Sequence, residues 1–129
     1  MVKVKEIMTR NPVTIEAGKS LREAVKLMAR LKIGSLMVSK GNEIIGILEE
    51  GDIIRNAMAK DMNPDTTHVE KVMSVPFIID EERSDDEASE MMNTYHVRHL
   101  AVSSNSKIEG VCSMQDLIRP VYTGRSFWA

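Results

Sequence analysis

Gly110-Val111-Cys112-Ser113-Met114-Gln115-Asp116 has the form of a buried strand that passes through a tight turn into a helix beginning near Met114. The turn carries one carboxylate. Gly46-Ile47-Leu48-Glu49-Glu50-Gly51-Asp52 has the same form, and both Gly46 to Gly110 and Asp52 to Asp116 are separated by 64 positions. A strand-to-helix turn used twice at fixed spacing is the signature of an internal repeat.

The offset of 64 extends outward from these turns over most of the chain. Ser20-Leu21-Arg22-Glu23-Ala24 aligns with Ser84-Asp85-Asp86-Glu87-Ala88, Met28 with Met92, and Ile33–Ser39 with Val97–Ser103. Ile44 aligns with Ile108, and Asp52-Ile53-Ile54-Arg55 with Asp116-Leu117-Ile118-Arg119. Near the front the spacing slips by one residue, so that Ile7-Met8-Thr9 matches Val72-Met73-Ser74, a change that a loop tolerates.

Each copy parses alike. An amphipathic turn (Val4–Met8; Val69–Met73) ends at a proline, which introduces a brief apolar strand, Val13-Thr14-Ile15 or Phe77-Ile78-Ile79. Ser20…Glu23 and Ser84…Glu87 have the spacing of a capping box, in which Ser accepts from a free helix N–H and Glu reaches back. The helices that follow place Leu21, Ala24, Val25, Leu27, Met28 and Leu31, or Ala88, Met91, Met92 and Tyr95, at helical spacing. Two strands come next, Ser35–Ser39 and Glu43–Leu48, or His99–Ser103 and Lys107–Cys112. Lys40-Gly41-Asn42 and Ser104-Asn105-Ser106 join them as hairpins. Closing helices are predicted over Gly51–Ala59 and Met114–Val121.

The fold class is therefore α/β (α+β): two β-α-β-β-α repeats, residues 1–62 and 63–129, with Lys60–Thr67 as linker. Neither half buries much alone, and packing sheet against sheet with pseudo-two-fold symmetry would supply the missing core. The tail Tyr122–Ala129 lies outside the repeat and carries no functional reading.

Composition narrows the function classes. Hydrophobic residues are 43% and charged residues 28% of 129, ordinary values for a soluble globular chain. A net charge of −2 gives no general pull toward nucleic acid or anionic membranes. With Cys112 alone no intrachain disulfide forms, so a reducing, cytoplasmic setting is expected. No signal-like apolar core opens the chain, and no apolar run approaches the ~20 residues that span a bilayer.

The order Ile7-Met8-Thr9…Pro12-Val13-Thr14, then Val97-Arg98-His99-Leu100-Ala101-Val102, then Gly110-Val111-Cys112-Ser113-x-x-Asp116 resembles a tandem pair of CBS domains, a Bateman module. The resemblance covers about residues 1–121. It implies clefts between the repeats that bind adenosine compounds (AMP, ADP, ATP or S-adenosylmethionine) and pairing of modules into a homodimer. Carried over by position, one cleft joins Ser113 and Asp116 with Asn11, Pro12, Val13, Ile33, Gly34 and Ser35. The other joins Asp52 with Phe77, Val97, Arg98 and His99. A carboxylate can accept from both ribose hydroxyls, a helix N-terminus favours phosphate, Ile33 or Val97 can cover an adenine, and Arg98 with protonated His99 can neutralise phosphate. The family favours Ser or Thr three residues before the Asp. Ser113 fits, whereas Glu49 departs and would repel phosphate unless it turned away or held a cation. The two clefts are expected to differ in affinity.

Plainer readings stand beside these. Asp52 and Asp116 suit helix N-termini for capping and dipole reasons alone. Arg55 and Arg119 can pair with the Asp three residues earlier. Arg98 and His99 can be strand-edge polar residues. His96-x-x-His99 lacks partners for a metal site, so no metal is expected. Cys112 aligns with Leu48 and reads as core, as do the Met residues. The acidic run Asp80–Glu87 reads as a solvated loop and helix start rather than a Mg²⁺ site.

The leading functional expectation is a stand-alone regulatory, energy-sensing module that binds adenine nucleotide and signals through conformation or association to a separate effector protein. It has no catalytic cofactor. The alternative is a structural dimerisation module with vestigial clefts. No Ser/His/Asp set, metal cluster or P-loop supports an enzyme. The neutral-to-acidic balance argues against extended nucleic-acid contact.

Overall fold

The computed structural model describes the backbone of residues 1–123 and side chains to residue 118. The rest of the tail and the side chain of Arg119 lie outside the described residues. Over the described residues the fold is mixed α+β with two sheets and four helices, divided into two compact units. One unit is Val13–Val75; the other combines Met1–Pro12 with residues 76–129. This spatial division differs from the repeat boundary in the sequence, because the opening turn of each repeat packs into the unit built on the other repeat.

In the unit Val13–Val75, the sheet has the order β2 (Thr14–Glu16), β3 (Ser35–Lys40), β4 (Glu43–Glu49), with β2 parallel and β4 antiparallel to β3. Helix α1 (Leu21–Leu31) crosses between β2 and β3. The short helix α2 (Glu50–Asp52) follows β4, and its path continues as a wider π turn, Ile53–Ala57, and a 3-10 turn, Met58–Lys60. The predicted regular helix over Gly51–Ala59 is thus replaced by three successive helical pitches. The core gathers Ile15, Leu21, Ala24, Met28, Leu36, Val38 and Leu48, and is closed by Val69 and Val72. Val25 and Leu31, though at helical spacing, remain exposed.

The other unit repeats this plan. Its sheet has the order β1 (Thr9–Arg10), β7 (Lys107–Ser113), β6 (His99–Ser104), β5 (Ile78–Asp80). Helix α3 (Asp85–Tyr95) connects β5 to β6, and α4 (Met114–Thr123) follows β7. Ile79, Ala88, Met92, Leu100, Val102 and Cys112 form the core, and Val4 from the 3-10 turn Val4–Glu6 completes it. Full burial of a valine is worth roughly 1.5–3 kcal/mol, so the opening turn is an integral part of this core. Its main chain is tied as well: Val4 N donates to Arg83 O at 2.7 Å, and Asp85 N to Val2 O at 2.9 Å. The counterpart bonds are Val69 N to Lys19 O at 2.9 Å and Leu21 N to Thr67 O at 2.8 Å.

The Ser caps form as expected: Ser20 Oγ accepts from Glu23 N at 3.2 Å and Ser84 Oγ from Glu87 N at 3.1 Å. Glu87 instead takes Arg83 at 3.0 Å, so charge pairing competes with the reach-back half of the box. Both helices end on a left-handed residue, Lys32 (φ 56°) and His96 (φ 55°). Both hairpins carry the same bulge, after Val38 and after Val102. The methionine reading needs correction: Met28, Met37 and Met92 are buried, but Met58 is 70% exposed on the helical path after α2.

Gly46 and Gly110 explain why the strands before the turns carry glycine. A Cβ on Gly110 would lie 2.6 Å from Thr9 O, and one on Gly46 would lie 2.2 Å from Met73 Sδ and 3.1 Å from Ser74 O. The opening segment of the opposite repeat crosses each strand at that point. It pairs as Thr9↔Val111 in one unit and as Ser74↔Ile47 in the other.

Candidate functional site

Both carboxylate turns have the same local frame. Ser113 N donates to Asp116 Oδ2 at 2.8 Å, and Glu49 N donates to Asp52 Oδ2 at 2.9 Å. Each Asp sits three residues into the turn and accepts the N–H at its start, so the helix-terminal reading holds for one oxygen of each. In the Ser113 turn the tie is reciprocal, with Asp116 N donating to Ser113 Oγ at 3.1 Å.

The turns differ at the second oxygen. Asp116 is half-buried, and among the described residues no hydrogen bond reaches its Oδ1. Asp52 is 3% exposed, and its Oδ1 accepts from the Ser74 hydroxyl at 2.6 Å and the Asn56 amide at 3.5 Å. Asn56 also donates to Val72 O at 3.0 Å. Among the described residues Asp52 makes no ion pair with Arg55, whose guanidinium instead lies beside Gly51. A carboxylate already holding three donors has little use for a fourth residue on the exposed face of the same helix.

The unit containing residues 76–129 holds Asn11, Pro12, Phe77, Val97, Arg98, His99, Ser113 and Asp116. His99 stands opposite Ser113 in the β6–β7 register, and Met114 N donates to Arg98 O at 2.8 Å, so the entry to β6 is fixed against the Asp116 turn. Arg98 is exposed. Asn11 takes a left-handed conformation (φ 50°) and donates its N–H to Glu109 O, the bulged residue of β7, at 3.4 Å. The Phe77 ring stacks on Tyr95 with centroids 4.1 Å apart and an interplanar angle of 7°.

The unit Val13–Val75 holds Val13, Ile33, Gly34, Ser35 and Asp52. Ser35 is paired with Glu49 across β3–β4, and Gly34 O accepts from Glu50 N at 3.2 Å. The Glu50 carboxylate lies where a Cβ on Gly34 would be, 2.6 Å away, so glycine at that position makes room for it. Val13, equivalent by position to Phe77, is 39% exposed, as is Phe77.

Ser74, Asn56 and Tyr95 are not site candidates in the sequence, where Tyr95 reads as part of the apolar helix face although it is exposed. Ser74 was legible as the partner of Thr9 in the repeat, but a hydroxyl facing a carboxylate 22 residues earlier leaves no periodic trace. Cys112 is buried, as its alignment with Leu48 implied; burial, and then the nearby charge of Asp116, push its thiol up to about 12. A groove of about 410 Å³ between α3 and α4, lined by Met92, Met114, Leu117 and Ile118 with Asp85 and Asp86, contains none of these candidate residues. Among the described residues no three His, Cys, Asp or Glu converge as a metal set, and no helix is long and apolar enough to cross a membrane.

The paired turns, swapped opening segments and repeated sheets agree with comparison to known proteins. The CBS-domain family model matches residues 4–59 and 69–122, and the chain belongs to the CBS-domain family as a tandem pair. An uncharacterized protein of Methanopyrus kandleri is 31% identical over 121 residues, covering 92% of this chain and 62% of its own length. An uncharacterized 17.7 kDa protein of Acidianus ambivalens is 32% identical, covering 91% of this chain and 71% of its own. This chain thus spans only part of either relative. Among solved structures, a candidate signal-transduction protein with CBS domains from Burkholderia ambifaria superposes with a TM-score of 0.84 at 32% identity, covering 92% of this chain and 88% of that one. A hexameric CBS-CP12 protein from bloom-forming cyanobacteria gives 0.82 at 28% identity, covering 98% and 77%.

Proposed function

We propose that this chain is a regulatory module that binds an adenosine nucleotide (AMP, ADP or ATP, with S-adenosylmethionine as the related alternative) and signals to an effector protein through conformation or association. The carrying observation is the Asp116 turn. Its Oδ2 is spent on fixing the backbone, while Oδ1 has no hydrogen bond among the described residues on a half-buried turn. A fixed carboxylate with a free oxygen is suited to a vicinal diol, since both hydroxyls of a ribose can donate to it. The start of α4 beside it favours phosphate, and exposed Arg98, whose carbonyl is tied to Met114, supplies a cation in the same unit. Asn11 and Pro12, in the same unit, are the proposed residues flanking the turn. A binding signal needs only a difference in ligand affinity between two states, so no turnover is invoked.

The name of the Burkholderia relative supports a signalling role, and the hexameric cyanobacterial relative supports self-association. The structural-dimerisation reading is favoured by a separate observation: Ile54 and Met58 are 60% and 70% exposed along the path after α2. We assign them to a homodimer contact, which Ile54→Asp should weaken in sedimentation.

The test of the nucleotide reading is calorimetric titration of AMP, ADP, ATP and S-adenosylmethionine. Saturable binding by the wild type that is lost in Asp116→Ala is the expected result. Flat traces for all four ligands would refute it and leave the assembly reading.

A further inference from the structure

The internal repeat supplies its own control for what a carboxylate turn does when it is open and when it is shut. In the open copy, Asp116 Oδ1 has no hydrogen bond among the described residues; in the other copy, Asp52 Oδ1 takes the Ser74 hydroxyl at 2.6 Å and the Asn56 amide at 3.5 Å. We infer that Asp52 is a second diol-binding carboxylate held shut by the chain's own Ser74, whose hydroxyl occupies the acceptor that a ribose hydroxyl would use. This rests on the nucleotide reading above.

Three features argue for a latch rather than a bond needed for folding. First, the Asp52 backbone tie is complete without Ser74, since Oδ2 holds Glu49 N at 2.9 Å just as Asp116 holds Ser113 N at 2.8 Å. Second, the Ser74 segment is anchored by its main chain, with Ser74 N to Ile47 O at 2.9 Å and Ile47 N to Ser74 O at 2.8 Å. Loss of the hydroxyl therefore leaves the strand in place. Third, the reinforcing donor exists in one copy only. Asn56 bonds Val72 O at 3.0 Å and so holds the segment toward Asp52, whereas the position 64 residues later is Pro120, which has no side-chain donor. The short contact between a hydroxyl and a carboxylate belongs to the stronger class of hydrogen bonds. A ligand must displace it before it can bind.

The consequence is one nucleotide per chain in the wild type and a second on removal of the latch. AMP is titrated into the wild type, Asp116→Ala, Ser74→Ala/Asp116→Ala and Ser74→Ala/Asp116→Ala/Asp52→Ala, each checked for a native thermal transition. Expected stoichiometries are one, none, one and none. Releasing a competing bond to a charged group should raise affinity at Asp52 roughly ten- to hundredfold. Ser74→Gly/Asp116→Ala repeats the test with more room at the turn. Failure of the wild type to bind any adenosine ligand defeats the nucleotide reading itself. Wild-type binding lost in Asp116→Ala, with neither Ser74 double variant binding, defeats the latch alone. Two AMP per wild-type chain also overturns it, whatever the variants do.

Discussion

Gly110→Ala tests whether the opening segment is built into the core of the unit that contains residues 76–129. Gly110 has no left-handed φ, so alanine is compatible with its backbone, and only the space beside it is at issue. The new Cβ would lie 2.6 Å from Thr9 O and 3.2 Å from Met8 Sδ. A carbon and a carbonyl oxygen settle no closer than about 3.3 Å, so β1 must retreat by roughly 0.7 Å. That stretches the Thr9↔Val111 and Arg10↔Gly110 pairing and loosens the seat of Val4. Overpacking costs about 1–3 kcal/mol and a weakened ladder bond about 1 kcal/mol more, against up to ~1 kcal/mol gained by stiffening the unfolded chain. The net is a loss of about 2 kcal/mol, or roughly 6–12 °C in Tm at this chain length. Gly46→Ala is the graded control. Its nearest obstacle, at 2.2 Å, is the tip of a flexible Met73, with the Ser74 carbonyl at 3.1 Å, so the loss should be about 1 kcal/mol. Gly18→Ala meets nothing within 4 Å and should be neutral or slightly stabilising. Urea unfolding followed by circular dichroism ranks the three. A Gly110→Ala midpoint indistinguishable from wild type, or one above that of Gly46→Ala, would refute the reasoning.

Cys112 should be unreactive toward a thiol reagent in the native protein at pH 8, because its thiol is pushed up to about 12, and should react stoichiometrically once urea unfolds the chain. The native state keeps a proton that the unfolded thiol gives up near its ordinary value of 9.0, so this group's contribution is fully present below that pH and is lost as pH rises toward about 12. Cys112→Ala should flatten that decline in urea midpoints, and an unchanged decline would count against it. Lys32→Gly and His96→Gly relieve left-handed C-caps at φ 56° and 55°, and each should raise stability by about 0.5–1 kcal/mol in the same urea assay. A lower midpoint in either would mean the side chain matters more than its backbone.

What the sequence determined by itself is the part of the structure written in short-range chemistry. Ser20 and Ser84 cap helices because the hydroxyl oxygen and the N–H that donates to it are three residues apart. Gly41-Asn42 and Asn105-Ser106 turn hairpins because the residues tolerate the turn, and Asp52 and Asp116 clamp their turns across the same short span. The repeat multiplied these signals, and with them the family was legible before any coordinate. Tertiary structure alone decided which core each opening turn enters. Val4 and Val69 sit in equivalent sequences, and the list of elements is the same whether each turn closes its own repeat or the other. Burial chose the exchange, with Val4 beside Leu100 and Cys112 and Val69 beside Leu36 and Leu48. The same exchange set the inequality of the two carboxylates. It carried Ser74 and Val72 to Asp52 and Asn56, so turns with the same carboxylate clamp differ at the second oxygen through side chains distant in sequence, whose meeting depends on the closed chain and has no period to read.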